Sequence, residues 1–325
     1  MRILVTGGAG YIGSVTAALL IEQQHDVEIL DDLSTGHRAA VPPGAILHVG
    51  SLLDSDLLGR VFARPFDAVM HFAAFSLVGE SVADPLKYWR NNVGGTLALL
   101  SRVAARGAAR FVFSSSAAVY GEPDRVPIAE DAPLLPVNPY GRTKLAMEQA
   151  LADAAAGGGF AAVALRYFNA AGAWQGRGED HDPETHLIPN LLRSLLLPEA
   201  TFTVFGDDYA TPDGTCIRDY IHVRDLAEAH VLALAALDRP GFTALNLGTG
   251  SGCSVRAIVA AAARVTGRSV SPPVGPRRPG DPARLVAAND EARRILGWQP
   301  LRSDVDTLIR DAWSWHRDHP RGYGD

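Results

Sequence analysis

Short, almost continuously apolar runs alternate with helix-length amphipathic stretches through the first half of the chain. Residues 2–6, 27–31, 46–49, 68–72, 110–114 and 161–167 read as strands. Their lack of polar alternation is what parallel strands covered on both faces require. Between them, residues 12–23, 85–106 and 140–156 carry helical spacing. Repeated strand–helix units of this kind predict an α/β fold with a doubly wound parallel sheet. After Phe168 the pattern loosens. Residues 172–184 read as a loop, followed by a helix opening at Asp225 (226–237), a strand at 244–247 and a helix at 255–265. Ser254 is placed to cap that helix and Gly267 to stop it. A Pro/Arg/Gly loop spans 271–282, and a Trp-bearing helix closes the chain. The expectation is a first domain over 1–168 and a smaller α/β lobe over 169–325, some of whose segments return to the first domain.

Gly7, Gly10 and Gly13 follow the first predicted strand and open the first predicted helix. Glycine there allows a tight turn and brings backbone against a pyrophosphate at the positive end of the helix. Asp31 ends the second strand eighteen residues past Gly13, the distance at which a carboxylate meets the ribose hydroxyls of a dinucleotide. No arginine adjoins Asp31 and Asp32, so NAD is favoured over NADP. The fold class is therefore Rossmann-type.

Tyr140 and Lys144 stand four apart at the start of a predicted helix and share one face. A phenol is a poor base at neutral pH, and a neighbouring ammonium, helped by an oxidised nicotinamide, favours its phenolate. Ser114, Ser115 and Ser116 end a parallel strand, the sheet edge where ligands and catalytic groups gather. Of 30 basic residues only Lys87 and Lys144 are lysine. In an arginine-using chain, a retained lysine points to a need for ammonium, and Lys144 stands beside Tyr140. Lys87 reads as a solvated charge at a helix start.

At 325 residues, with 47% hydrophobic and 20% charged positions, the chain can bury a large core and is not disordered. A formal net charge of −6 argues against nucleic-acid or anionic-membrane partners. No apolar run reaches the ~18 residues of a membrane span, and no signal-peptide pattern opens the chain. Two cysteines, Cys216 and Cys253, make no disulfide framework. The expected location is cytoplasmic. His181, Asp182, Glu184 and His186 cluster in sequence, but their spacing fits no standard site, so no metal is expected.

Together these segments resemble the extended short-chain dehydrogenase/reductases, and within them the UDP-glucose (UDP-galactose) 4-epimerases. The resemblance covers almost the whole chain: TGGAGYIGS at 6–14, DDLSTG at 31–36, HFAA at 71–74, VGES at 78–81, NNVGGT at 91–96, FSSSAAVYG at 113–121, PYGRTK at 139–144 and LRYFNAAGA at 165–173. It continues through FGDDYATPDGTCIRDYIHVRDLA at 205–227, NLGTG at 246–250, RRPGDP at 277–282 and the tail with Trp313, Trp315, His319, Pro320, Gly322 and Tyr323. The glycine loop and the Tyr/Lys pair specify the superfamily, and the later segments specify the epimerases.

The resemblance implies reversible interconversion of UDP-galactose and UDP-glucose on tightly held NAD. Tyr140 takes the sugar 4-hydroxyl proton, hydride passes to NAD, and the 4-keto sugar turns over before hydride returns. Ser116 orients the hydroxyl, and Lys144 holds the nicotinamide ribose and lowers the tyrosine pKa. NAD contacts implied are the glycine loop with Tyr11 and Ile12, then Asp31, Asp32, Leu33, Ser34, Thr35 and Gly36. Ser51, Leu52, Phe72, Ala73, Ala74 and Ser76 follow, with Asn91, Ser114 and Phe168. For the UDP-sugar, Asn169, His186, Leu187, Thr203 and Phe205 are implied, with Arg218, Arg278 and Asp281. Arginines in polar, Gly- or Pro-bearing segments suit a diphosphate clamp. A homodimer through helices of the NAD domain is also implied, with residues 85–106 and 140–156 as the candidates.

Several positions depart from the commoner family pattern: Val15, Ser51, Ser76 and His186. Leu285 stands where some members carry a bulky tyrosine, leaving room for N-acetylated sugars. UDP-N-acetylhexosamines, UDP-uronates and UDP-pentoses are thus alternative substrates for the same residues. A dehydratase or decarboxylase would need a carboxylate after the strand-end serines, where Ala117 and Ala118 stand. A non-catalytic NAD-binding regulator would not need both Tyr140 and Lys144. A serine hydrolase would need a nucleophile elbow that is lacking.

Overall fold

Seven strands form one parallel sheet: β1 (Arg2–Thr6), β2 (Asp26–Asp31), β3 (Ile46–Val49), β4 (Ala68–His71), β5 (Arg110–Ser116), β6 (Ala161–Tyr167) and β7 (Gly241–Leu247), in the order β7-β6-β5-β4-β1-β2-β3. The computed structural model describes residues 1–106, 108–268, 271–278 and 281–324. Pro279 and Gly280 of the expected 271–282 loop lie outside the described residues.

The uninterrupted apolarity of the strands is explained by what covers each face. Ile3 and Val5 of β1 join Ala17 and Leu20 of α1 (Tyr11–Glu22) on one side. Leu4, between them, faces Leu99 and Val103 of α2 (Gly95–Arg106) and Met147 and Leu151 of α3 (Pro139–Gly158) on the other. Each such side chain contributes about 1.5–3 kcal/mol on leaving water. The sheet changes direction at β1, whose neighbours are β2 and β4. The crevice for a ligand therefore opens at the carboxyl end of β1.

Two segments from beyond residue 168 complete this unit. α5 (Val223–Ala236) places Leu226, Ala229 and Ala233 in the same core as α1. The strand expected at 244–247 starts earlier, at Gly241, and pairs with β6 as the sheet edge. The remaining elements surround a separate core of Leu191, Leu192, Ile258, Leu308 and Ile309. These come from α4 (Leu187–Leu196), α6 (Val255–Thr266) and α7 (Val305–Asp318). Ser254 caps α6 through its Oγ, which accepts from Ala257 N at 3.1 Å, and Gly267 ends it at φ +68°.

The single helix expected over 85–106 is broken. A turn at Pro85–Tyr88, capped by Asp84, leads into a π-turn at Trp89–Gly94 and then α2. The wide turn carries Asn92 inward, where its Oδ1 accepts from Phe75 N at 2.8 Å and its Nδ2 donates to Phe75 O at 3.1 Å. Apolar periodicity carries no signal for such a turn, because the residues flanking it keep helical spacing.

A buried ion pair ties α3 to the sheet. Glu148 accepts from Arg166 of β6, Nη2 to Oε2 at 2.6 Å and Nε to Oε1 at 3.0 Å, and from Ser115 Oγ of β5 at 2.5 Å. Arg166 also donates to Tyr120 Oη at 2.9 Å. Removing one member of such a pair strands the other charge, at about 3–5 kcal/mol. Glu148→Ala is expected to lower unfolding stability by that amount in denaturant titration. Glu148→Leu combined with Arg166→Met is expected to recover most of the loss.

Candidate functional site

The turn after β1 is a cradle that side chains would fill. Gly7 has φ +72°, and a Cβ there would sit 2.5 Å from Ala73 N. A Cβ on Gly13 would sit 2.2 Å from Gly7 O. Gly10 caps α1 with no side-chain hydrogen bond, and no acid stands in the first turn. The helix end is thus left for an anion. Tyr11 is buried and its Oη donates to Gly172 O at 2.7 Å, so its side chain ties the cradle to the second half of the chain. Ile12 packs between two apolar clusters.

Asp31 ends β2 beside this cradle. Its Oδ2 accepts from Ala9 N and its Oδ1 from Leu33 N, both at 2.9 Å. Burial pushes the Asp31 carboxyl up, against these two backbone bonds. Gly36 brings the loop back, since a Cβ there would lie 2.9 Å from Asp31 Oδ1. Leu33 takes φ +59° in the intervening turn. Asp32 is exposed and spends Oδ1 on Ser34 N and Oγ. Thr35 is exposed as well. Ser51 Oγ accepts from Leu53 N at 3.1 Å, and Leu52 packs against α2 and its neighbours. Phe72 and Ala73 both donate their N–H to Thr6 O, which sets the β4 turn against the cradle. Ala74 is half-buried, Ser76 is exposed, and Asn91 donates to Asn92 Oδ1 at 3.1 Å.

The chemical groups meet at the end of β5. Asn138 caps α3, its Oδ1 accepting from Gly141 N at 2.9 Å, and Pro139 follows at the first helical position. Lys144 is buried, donates from Nζ to Ser114 O at 2.8 Å and stands 5.8 Å from the centre of the Tyr140 ring. Ser114 Oγ is bonded to Tyr167 Oη. Ser116 Oγ accepts from Ala118 N at 3.1 Å. Burial pushes the Tyr140 phenol up, and the hydrogen bond with Ser116 draws it partly back. Burial also lowers Lys144 to about 7, against the pull of Glu148. Burial thus disfavours the charged form of both groups in the protein without ligand. Phe168 packs with Val119, Tyr120 and Leu285 just beyond.

A second cavity, of about 260 Å³, is lined by His186, Leu187, Thr203, Phe205, Arg278 and Asp281 among others. Arg218 is buried beside it and paired with Asp281, while its Nη1 donates to Ile217 O at 2.7 Å. The Arg278 guanidinium lies 4.4 Å above the Phe205 ring. Asn169 pairs with Tyr220 in a short parallel ladder. Arg218 registers with Leu285 on the neighbouring short strand.

Comparison with known proteins decides the class of site. The model of the NAD dependent epimerase/dehydratase family matches residues 3–248. The chain belongs to that family. Its cofactor is NAD, and the glycine cradle, the open end of α1 and Asp31 are the residues that would hold it. The chain is 53% identical to the UDP-glucose 4-epimerase of Streptomyces lividans, over 100% of this chain and 98% of that protein. The crystal structure of UDP-glucose 4-epimerase from Brucella ovis in complex with NAD is similar, with TM-score 0.91, 50% identity and coverage of 96% and 97% of the two chains. The enzyme from Bifidobacterium longum in complex with NAD+ and UDP has TM-score 0.94 and 37% identity, covering 99% of this chain and 100% of that one.

Three groups at the site were beyond sequence reasoning. His71 is buried between Thr6 Oγ1 at 2.6 Å and Thr96 Oγ1 at 2.8 Å, and burial with the Lys144 charge holds it near 3. Asn92 pins the Phe75 loop and reaches Thr143 on α3. Asp219 is buried and gathers Thr249, Gly250 and Ala287 N–H groups, which explains the NLGTG segment. Buried polar groups of this kind were hidden because their partners come from distant strands. Glu179, His181, Glu184 and His186 also converge, their donor atoms within 4.8 Å of one another, whereas Asp182 lies outside the group.

The depressed Lys144 value carries a pH signature. Between about 7 and the ordinary lysine value of 10.5, the unfolded chain holds this proton and the folded chain does not. Stability therefore rises with pH across that window. In NAD-free protein, Lys144→Met is expected to remove this part of the rise, read as a flatter plot of unfolding free energy against pH from 7 to 10.

Proposed function

We propose that the protein interconverts UDP-galactose and UDP-glucose, holding NAD over residues 1–168 and the nucleotide sugar against the lobe from residue 169. The observation that carries this reading is the meeting of Ser116, Tyr140 and Lys144 at the end of β5. They stand at the sheet edge that also carries the glycine cradle. NAD, when bound, supplies the hydride acceptor and donor. Tyr140 takes and returns the proton of the sugar 4-hydroxyl, and Ser116 fixes that hydroxyl through its bond with the phenol. Lys144 is held by the Ser114 carbonyl. With its value near 7, it carries charge when the cofactor ribose and substrate oxygens replace lost water.

Arg218, Arg278 and Asp281 hold the UDP handle, so the sugar is free to present either face. Strong binding remote from the reacting carbon leaves the sugar loosely held, as inversion requires. In the ligand-free chain Arg218 is paired with Asp281. A diphosphate frees Asp281 to accept the uridine ribose hydroxyls. Ser34, Thr35, Ser51 and Ser76 are the weakest of the assigned NAD contacts, since the first two and the last are exposed and Ser51 is engaged in its own turn.

The protein works as a homodimer in the cytosol on this reading. Val78, Val82, Leu86, Trp89 and Leu97 are exposed along the helices before and within 85–106, a surface that a second copy would cover. Cys216 and Cys253 are unpaired, and no helix of the described residues is long and apolar enough to cross a membrane. Leu285, which packs against the same Val119, Tyr120 and Ile128 cluster as Phe168, supports N-acetylated substrates as well, a range carried by the Campylobacter jejuni UDP-Glc/GlcNAc 4-epimerase, 38% identical.

Purified protein incubated with UDP-galactose and no added NAD is expected to reach a mixture with UDP-glucose by proton NMR. Tyr140→Phe is expected to lower kcat by about 10²–10⁴-fold while UDP affinity holds. No conversion with NAD supplied overturns the reading. A parallel incubation with UDP-N-acetylgalactosamine that yields no product removes the wider range.

A further inference from the structure

The loop between Arg177 and α4 folds four potential metal ligands onto one point. Glu179 and His181 lie on it, Glu184 near its end, and His186 at the N-cap of α4. His186 Nδ1 stands 2.9 Å from Glu184 Oε1 and 3.1 Å from Glu179 Oε1. His181 Nδ1 stands 3.6 Å from Glu184 Oε2 and 3.7 Å from Glu179 Oε1. A tetrahedral zinc with bonds of about 2.0–2.2 Å spaces its ligand atoms about 3.3–3.6 Å apart. One ligand atom from each residue lies within 4.8 Å of the others, so small side-chain movements would close the set on an ion.

A second observation points to a ligand. The Glu184 side chain is 2% exposed, and its Oε1 is consumed by Thr185 N and His186 N, both at 2.8 Å. Its Oε2 is buried with no hydrogen-bond partner among the described residues, and so is His181 Nδ1 opposite it. An unsatisfied buried carboxylate oxygen and an unsatisfied imidazole nitrogen facing one another are costly unless something joins them. The nearby Asp180 is not part of the set, being engaged by Arg193 at 2.7 Å and Tyr323 N at 2.9 Å.

We propose that Glu179, His181, Glu184 and His186 bind one divalent transition-metal ion of the zinc class. Two imidazoles and two carboxylates suit such an ion, whereas calcium and magnesium draw oxygen-only sets. Four protein ligands leave no open position, so the ion is structural. It fastens the loop to the start of α4, where His186 also lines the nucleotide cavity. The proposal does not depend on the epimerase reading, because the Tyr140 chemistry needs no metal.

The test uses the untagged full chain with its bound nucleotides, treated with a chelator, exposed to zinc chloride and desalted. Elemental analysis is expected to give one zinc per chain. X-ray absorption is expected to show nitrogen and oxygen neighbours alone at about 2.0–2.2 Å, and the melting temperature to rise with zinc concentration. His181→Ala and Glu184→Gln are each expected to cut zinc retention at least tenfold. Both variants are checked for fold by circular dichroism and for retained NAD by absorbance. No retained zinc, which would mean that protons alone satisfy the cluster, overturns the proposal. So does sulfur in the metal's shell, or unchanged retention in whichever variant folds.

Discussion

The placement of the reactive groups depends on a carboxylate that touches none of them. Glu148 sits one turn beyond Lys144 on α3 and is bound to Ser115 of β5 and Arg166 of β6. Those two strands are neighbours in register, Ser115 opposite Arg166. The helix therefore meets the sheet at one rotation, and that rotation turns Tyr140 and Lys144 toward the end of β5. A hydrophobic contact would have allowed the helix to slide, whereas a forked guanidinium–carboxylate pair in a dry interior does not. The same carboxylate is the one charge that raises Lys144 against its burial. One group thus bears on both the position of Lys144 and its proton affinity, burial being the larger influence on the latter.

The segments after Phe168 are fixed by a similar device. Asp219 binds the 249–250 turn and Ala287 in its carboxylate, and its backbone carbonyl accepts from Asn169 N at 3.0 Å. Arg218 precedes it directly in sequence. Arg218 is thus rooted beside a buried acid that also fixes the strand after Phe168. The parallel sheet gathers loops at one edge, but buried polar groups such as Asp219 and Asn92 decide which loops face one another.

Much of this was legible in the chain itself. Strand and helix positions followed from apolar runs because both faces of the sheet are covered, a condition that leaves a plain pattern. The glycine cradle, Asp31 and the Tyr140/Lys144 spacing were legible because each obeys a local rule of turn, strand end or helix turn. The π-turn at Trp89–Gly94 was not, since it differs from an α-helix by a single widened turn. Nor was the early start of β7 at Gly241, because its edge position relaxes the apolar pattern at 241–243.

The charge state of the reactive pair is set against burial in the protein without ligand. In sequence, a lysine four residues from a tyrosine suggests an ammonium acting on a phenol. In the fold both are desolvated, and desolvation disfavours both charges before they can help each other. On the proposed reading, the phenolate–ammonium state would belong to the assembled complex, in which cofactor and sugar oxygens take the place of water. This arrangement has a chemical advantage. A chain that kept Tyr140 ionised on its own would expose a strong base to solvent between turnovers. A chain that ionised it only beneath a bound ligand would confine proton transfer to the hydroxyl held there.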